Sequence, residues 1–353
     1  MKLVLWTLVL LASVWAAHWG ADKLAAPLEK LRRQWGLSEA AGAAFVALAT
    51  ASPEVGTNTA SAVRGLSDIG LGNLLGSNII SVPVIVTVAF IANKTAPKSK
   101  TNSESSSSEN RSSKDNYTKK NYSVDNASRN VLKVKPEALQ VQAIPYLLII
   151  ALAAILTVPK PWQGLQPIDG WIMLAVYFIY LAQAIWRDRD SGNDVKWQKK
   201  EVIISIFGVA LLAFSAYFIV TATENIVSIL GISQLIGGLF ITSTLSIAPE
   251  IFATWAVARS GQLTAATTSV IADNTATMTL ALFPLALVSL PIKDMQLFSV
   301  NLAFVALLAG VYAAFLKWGK HKNSFEIWEV ASLIGIYLIY LWVMLFNVLK
   351  VFG

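Results

Sequence analysis

The chain has 353 residues, of which 55% are hydrophobic and 14% charged, and its mean hydropathy is +0.57. Soluble globular chains carry about a quarter charged residues, so this composition excludes that class and describes a polytopic helical membrane protein. The absence of cysteine removes disulfides, iron–sulfur clusters and thiolate metal sites, and with only two histidines, His18 and His321, oxygen is the expected ligand for any bound cation. No cofactor is expected. The one Gly-Lys pair, Gly319-Lys320, is not part of a phosphate-binding loop, so ATP-driven transport has no visible engine. The net charge of +7 sits in basic residues between apolar segments, a pattern of membrane orientation and not of nucleic-acid binding.

At about 20 apolar residues per crossing, the stretches 3–27, 39–63, 69–92, 143–158, 168–186, 201–228, 232–258, 264–290, 296–316 and 326–349 predict an all-α protein of about ten transmembrane helices. With the N-terminus outside, the odd-numbered connections are cytoplasmic. All of the 28 Lys and Arg fall in them except Lys2, Arg64, Lys160, Lys293 and Lys350. Both termini are therefore expected outside. Residues 2–17 have features of a signal peptide, one basic residue before a short apolar run, but the repeat described below needs this segment as a first helix. Residues 93–142 shift abruptly to Ser, Asn, Lys and Glu, which predicts a disordered cytoplasmic loop. Sequons at Asn93, Asn110, Asn116, Asn121 and Asn126 would be glycosylated on a luminal face, but the lysines around them place the loop inside.

The chain repeats itself. Residues 45–54, FVALATASPE, align with residues 241–250, ITSTLSIAPE, at the offset of 196 that separates Glu54 from Glu250. The register continues through Ala60 with Ala256, Gly65 with Gly261, Leu75 with Ile271 and Asn78 with Asn274, and upstream Gly36 matches Gly231 after a slip of one residue. Five spans per copy, an odd number, force the second copy into the membrane upside down relative to the first, giving two inverted five-helix repeats. The chain then divides into 1–92 (first three helices), 93–142 (polar loop), 143–187 (completion of the first repeat), 188–200 (cytoplasmic linker) and 201–353 (second repeat).

Each copy places a Pro-Glu pair within a span. Proline removes a backbone donor and frees carbonyl oxygens near Glu54 and Glu250, and carbonyl plus carboxylate suits a hard cation. A charge at the bilayer centre costs at least about 2.5–3.5 kcal/mol, so two symmetry-matched glutamates call for a compensating cation or proton. The plainer alternative is a kinked helix whose glutamate bonds a neighbouring helix. Asp273 lies at depth in an apolar span, and Asn73, Ser77, Asn78 and Ser81 in the first copy correspond to Ser269, Asp273, Asn274 and Thr277 in the second. Positions i and i+4 of these sets share a helix face. Thr50 and Ser246, one turn before the glutamates, and the equivalent positions Ala47 and Ser243 complete the candidate ion site. Asp22 and Glu224 could line an access path or pair, and Asp68, Asp169 and Asp294 look like solvated helix starts.

These motifs, Ala47 to Glu54 with Gly72-Asn-Leu-Leu-Gly-Ser-Asn78, and Ser246 to Glu250 with Val270 to Asn274, resemble those of the calcium/cation antiporter superfamily, sodium/calcium exchanger type. The resemblance implies ten helices in two inverted halves, a central site made by helices two, three, seven and eight, and helices one and six sliding against that core. It departs from the family pattern where Ala51 and Ile247 replace a hydroxyl residue, and where Asp273 takes a serine position while Thr277 takes an acidic one.

The expected function is a secondary antiporter exchanging Ca²⁺ for Na⁺ or H⁺ by alternating access, with inorganic cations and the lipid bilayer as partners. A monovalent cation/H⁺ antiporter, in which Na⁺ or K⁺ replaces Ca²⁺, is the alternative within transport. A membrane-embedded acid–base enzyme and an ion sensor without flux are the alternatives outside it.

Overall fold

In the computed structural model the described residues are 1–36, 47–95, 131–136, 138–159, 163–187, 198–259 and 261–349. They form an α-helical bundle with two short β-ladders. Helix α1 spans Lys2–Gln34, α2 Ser52–Val63, α3 Ser67–Thr95, α4 Leu139–Thr157 and α5 Pro167–Arg187. Helix α6 spans Lys199–Leu230, α7 Gln234–Arg259, α8 Leu263–Leu287, α9 Met295–Trp318 and α10 Ile327–Val348.

Eight of these helices are long and apolar enough to cross a membrane, so the chain is an integral, multi-pass membrane protein. The two that fall short have local reasons. The described part of α2 turns Glu54, Thr57, Asn58 and Ser61 inward, trading hydropathy for a polar lining, and α5 has only Pro167–Gln183 as its apolar stretch. Residues 39–46, the start of the second expected span, lie outside the described residues.

Local chemistry sets the helix ends. A capping box between Gln198 and Glu201 starts α6, a second between Glu326 and Glu329 starts α10, and the Asp294 carboxylate accepts the Leu297 N–H at 2.8 Å to start α9. Asp169 accepts from the Gln166 N–H at 2.7 Å, but it is buried, not solvated as expected. Four turns close on glycines with left-handed backbone: Gly36 (φ 63°) after α1, Gly65 (φ 70°) after α2, Gly231 (φ 68°) after α6 and Gly261 (φ 88°) after α7. These are the glycines that the two sequence copies share, used for the same turn in each.

The polar loop ends sooner than residue 142. Val131–Lys133 forms a strand, β1, that pairs antiparallel with Ser324–Glu326, while Leu139–Ala143 is already the π-helical first turn of α4. Burial of Leu132, Val134 and Phe325 supplies the reason, since apolar side chains after Ser- and Asn-rich sequence can close over the helix ends. Residues 96–130, with four of the five sequons, lie outside the described residues, as does most of the 188–200 linker; Asn93 is in the last turn of α3.

Contacts between connections sort the bundle into two ends. At one end β1 meets Ser324–Glu326, the Lys135 N–H donates to Thr264, and Lys30 pairs with Glu201 at 2.5 Å. At the other, Gly164–Leu165 pairs with Leu290–Pro291, Arg64 pairs with Glu224 at 2.7 Å, and Lys293 pairs with Asp68 at 2.8 Å. The first set joins odd-numbered connections and the second set even-numbered ones. Glu224 is therefore a paired residue.

Helix α1 packs most extensively on α6, and the two run antiparallel, with Ser205 donating to the Lys23 carbonyl and Leu10 packed among Ile219, Ala222 and Ile226. They cross backbone to backbone, because a Cβ at Gly20 would stand 2.6 Å from the Gly208 carbonyl oxygen. Helices α3 and α8 form the centre and are mostly buried, whereas α1 and α6 are mostly exposed along their apolar stretches. Helix α3 also meets α7 at glycines, Gly72 and Gly76 facing the Leu235 and Leu239 carbonyls, and Gly238 facing that of Ile69.

Because Arg64 and Glu224 are 20% and 39% exposed, their ion pair contributes little. A double-mutant cycle of Arg64→Gln and Glu224→Gln, read by thermal unfolding of the purified protein, is expected to give a coupling of about 0.2–1 kcal/mol. A coupling several times larger would mean that the pair locks α2 to α6.

Candidate ion-binding site

Glu54 sits in the first turn of α2, immediately after Pro53, and is 1% exposed with both carboxylate oxygens lacking a hydrogen-bond partner. Glu250, on α7 after Pro249, comes to the same place, and a third group joins them. One ring nitrogen of His18 and one carboxylate oxygen from each glutamate all lie within 4.8 Å of one another. Asp273, on α8 and 6% exposed, is within electrostatic reach of both glutamates and of Thr50, and its Oδ1 is unpartnered. Helices α2, α7 and α8 thus bring three carboxylic acids together inside the bundle. Burying carboxylates without partners is costly, so the arrangement calls for a cation or protons to neutralise it.

The polar residues around the acids mostly bond one another. Asn78 Nδ2 donates to Thr277 Oγ1 at 3.0 Å, and Ser81 Oγ donates to Asn274 Oδ1 at 2.9 Å. The two bonds are reciprocal, because Asn274 and Thr277 are the second-copy counterparts of Asn78 and Ser81. From α4, the Tyr146 hydroxyl donates to Asn78 Oδ1 at 2.8 Å. Asn78 is therefore held at both ends, and the acceptor oxygen of Asn274 already has a donor, while Asn274 Nδ2 has no acceptor. Asn73 is fully buried with both side-chain atoms unpartnered. Expected effects follow for Tyr146→Phe: with the Asn78 oxygen left buried and unbonded, about 1–3 kcal/mol is lost. Ion affinity, read by equilibrium titration, falls with it; unchanged affinity and thermal stability would show that Tyr146 does not position Asn78.

Several sequence-predicted hydroxyl residues bond backbone carbonyls of their own helices. Ser243 Oγ donates to the Leu239 carbonyl, and it lies against Gly76 at the α3–α7 crossing. Ser269 is exposed and bonds the Ala266 carbonyl. Ser77 Oγ donates to the Leu74 carbonyl, though its oxygen can still accept. The carbonyls expected to be freed before Pro53 are used locally: that of Ala49 accepts Ser52 Oγ at 2.6 Å, and that of Ala47 accepts the Ala51 N–H and Thr50 Oγ1. Small hydroxyl residues back-bond to the preceding turn, which is why these oxygens are taken.

Thr50 is exposed while its counterpart Ser246 is 5% exposed. Tyr177 and Tyr180 of α5 pack with Ala47, Ala51, Ala272 and Ala276 beside Asp273. Two π-helical turns flank the site, Gly237–Thr242 in α7 and Thr277–Ala281 in α8; such turns re-aim the residues next to them.

A family model described as sodium/calcium exchanger protein matches residues 5–186 and 200–346. The chain belongs to the sodium/calcium exchanger protein family. Compared sequence against sequence with curated proteins, the exchanger finds no match. Among solved structures it is similar to the H⁺/Ca²⁺ exchanger CAX, at 16% identity over 99% of this chain and 82% of that one, with a TM-score of 0.68. It is also similar to the sodium-calcium exchanger NCX_Mj soaked with 100 mM Na⁺ and 10 mM Sr²⁺, at 20% identity over 96% of this chain and 98% of that one, with a TM-score of 0.59. At such identities the likeness shows the fold. The family is one of transporters, not an enzyme class.

Sequence reasoning passed over His18. Two histidines are too few for a histidine-rich site, yet the fold brings one imidazole beside two converging carboxylates. The available signal was an ionisable residue inside an apolar span, which is itself a mark of function.

Proposed function

We propose that this exchanger moves Ca²⁺ against Na⁺ or H⁺ by alternating access at a site built from Glu54, Glu250 and Asp273. The observation that carries this reading is the convergence of the two repeat-matched glutamates, one of them fully buried and unpartnered. Three neighbouring carboxyl groups cannot all stay ionised in a low-dielectric interior, so a divalent ion, several monovalent ions or protons must neutralise them. Competition between those alternatives is the exchange. Thr50, Ser246, Ser77, Asn78, Asn274, Thr277 and Ser81 surround the acids and supply oxygen as the site changes shape.

The ten-helix, inverted-repeat reading is supported by the antiparallel α1 and α6, by the reciprocal Asn78–Thr277 and Ser81–Asn274 bonds, and by the separation of odd from even connections. The exposed Thr50 and the buried Ser246 fit a site open to one side, as alternating access requires in each of its end states. Both termini then lie outside, with residues 93–142 on the cytoplasmic side, as the basic residues indicate.

The second reading, a monovalent cation/H⁺ antiporter, is favoured by Ala51 and Ile247, both buried next to the acids with no oxygen to offer a second ion. Titration of Ca²⁺ binding to the purified protein at several Na⁺ concentrations tests the choice. Na⁺ raising the apparent Ca²⁺ Kd supports Na⁺/Ca²⁺ competition; Na⁺ binding without Ca²⁺ binding selects the second reading.

A further inference from the structure

His18 belongs to neither repeat motif and lies on α1, yet its ring reaches the two glutamates. The backbone decides which nitrogen is available. His18 Nδ1 is 2.9 Å from the Val14 carbonyl oxygen, which can only accept, so in the neutral ring Nδ1 carries the hydrogen and Nε2 carries the lone pair. Nε2 is buried with no hydrogen-bond partner, although the Ser246 carbonyl faces the ring. Beside it the Glu54 oxygens are likewise buried and unpartnered. A ring nitrogen of His18 and one carboxylate oxygen from each of Glu54 and Glu250 lie within 4.8 Å of one another, and Nε2 is the ring nitrogen left without a partner. Ligands on opposite sides of a Ca²⁺ ion stand about 4.6–5.2 Å apart and those of smaller ions closer, so the group matches the size of a coordination shell.

We propose that His18 Nε2 is a third protein ligand of the Glu54–Glu250 site, and that this nitrogen extends the cargo to first-row divalent transition ions of the Mn²⁺ kind. The inference rests on the exchanger reading above. Ca²⁺ takes oxygen ligands and gains little from an imidazole, whereas first-row ions bind imidazole and carboxylate together. Mn²⁺ stands at the weak end of the affinity order, and a transport site must release what it binds. His18 is held in place by the close crossing of α1 on α6 at Gly20 and Gly208, two residues along the helix.

The test uses the purified full chain in detergent with Mn²⁺ alone as the probe, read by pulsed electron paramagnetic resonance. Bound Mn²⁺ is expected to show ¹⁴N modulation from an imidazole, lost in His18→Gln and kept in His321→Gln. The same His18→Gln variant is expected to lose about tenfold or more in Mn²⁺ affinity and much less in Ca²⁺ affinity. Uniform ¹⁵N labelling of the unmutated protein, which replaces the ¹⁴N signal by a ¹⁵N one, keeps the proposal testable if the variant fails to fold. Mn²⁺ bound without nitrogen modulation, or no Mn²⁺ binding where Ca²⁺ binds through Glu54 and Glu250, overturns the His18 assignment and leaves the exchanger reading standing. Failure of both ions to bind the unmutated protein overturns both.

Discussion

Glu54→Gln combined with Glu250→Gln is expected to abolish coupled ion flux in proteoliposomes, with at least a hundredfold loss, while the protein remains folded. Glutamine preserves the shape of each side chain and removes the charge that a cation must neutralise. The fold should tolerate the change well, because the Glu54 oxygens form no hydrogen bond that glutamine would break, and burying an amide costs less than burying an unpaired carboxylate. The single variants separate the two halves of the site. If the copies act as one site, each alone should fall nearly as far as the pair, since groups acting as a unit are not additive. Flux that survives in the double variant would move the ion path away from the Pro-Glu motifs altogether.

The second large effect is structural. Gly238→Leu is expected to prevent assembly of the bundle, seen as loss of a monodisperse peak in size-exclusion chromatography and of cooperative thermal unfolding. A Cβ at Gly238 would lie 2.1 Å from the Ile69 carbonyl oxygen and 2.8 Å from the Asn73 nitrogen, both backbone atoms that cannot step aside. Gly72 meets the same obstacle from α3, 2.2 Å from the Leu235 carbonyl oxygen. Overpacking of a tight interior already costs about 1–3 kcal/mol when side chains can adjust, and here it is the helix axes that would have to part. Gly310→Ala and Gly335→Ala, with nothing within 4 Å of the added carbon, serve as the controls and should not lower stability. A stable, monodisperse Gly238→Leu protein would show that α3 and α7 do not touch at this crossing.

The α3–α7 crossing also marks where reading the sequence stops being sufficient. Gly72 and Gly76 form a Gly-x-x-x-Gly pair, a known sign of close helix approach, but the pattern names no partner. The partner, Gly238, lies in the other repeat and is found only by folding the two halves together. The acids were legible for the opposite reason. Glu54, Glu250 and Asp273 are expensive in an apolar span, and the repeat supplied a second, independent copy of the glutamate. The turn glycines Gly36, Gly65, Gly231 and Gly261 were legible through that same repeat, and their backbone angles give it a physical basis.

Other features follow from three-dimensional competition that no linear pattern encodes. Asn78 was expected to face the ions, but Tyr146, from a helix without any motif, claims its acceptor oxygen. Ser243 shares its register with Ala47, yet its hydroxyl turns to the preceding turn of α7. His18 has no role in the sequence reading because two histidines are too few for a histidine-rich metal site. Its place beside the glutamates depends on how deeply α1 seats against α6, which Gly20 and Gly208 decide.

The central claim is that the acids of the bundle form a cation exchange site. Uptake of radioactive Ca²⁺ into sealed proteoliposomes, driven by an outward Na⁺ gradient in one arm and a pH gradient in the other, tests it most directly. Uptake that requires one of the gradients and disappears in Glu250→Gln is the predicted result, and the gradient that drives it names the counter-ion. Tight vesicles with no gradient-dependent Ca²⁺ uptake in either arm would contradict the claim.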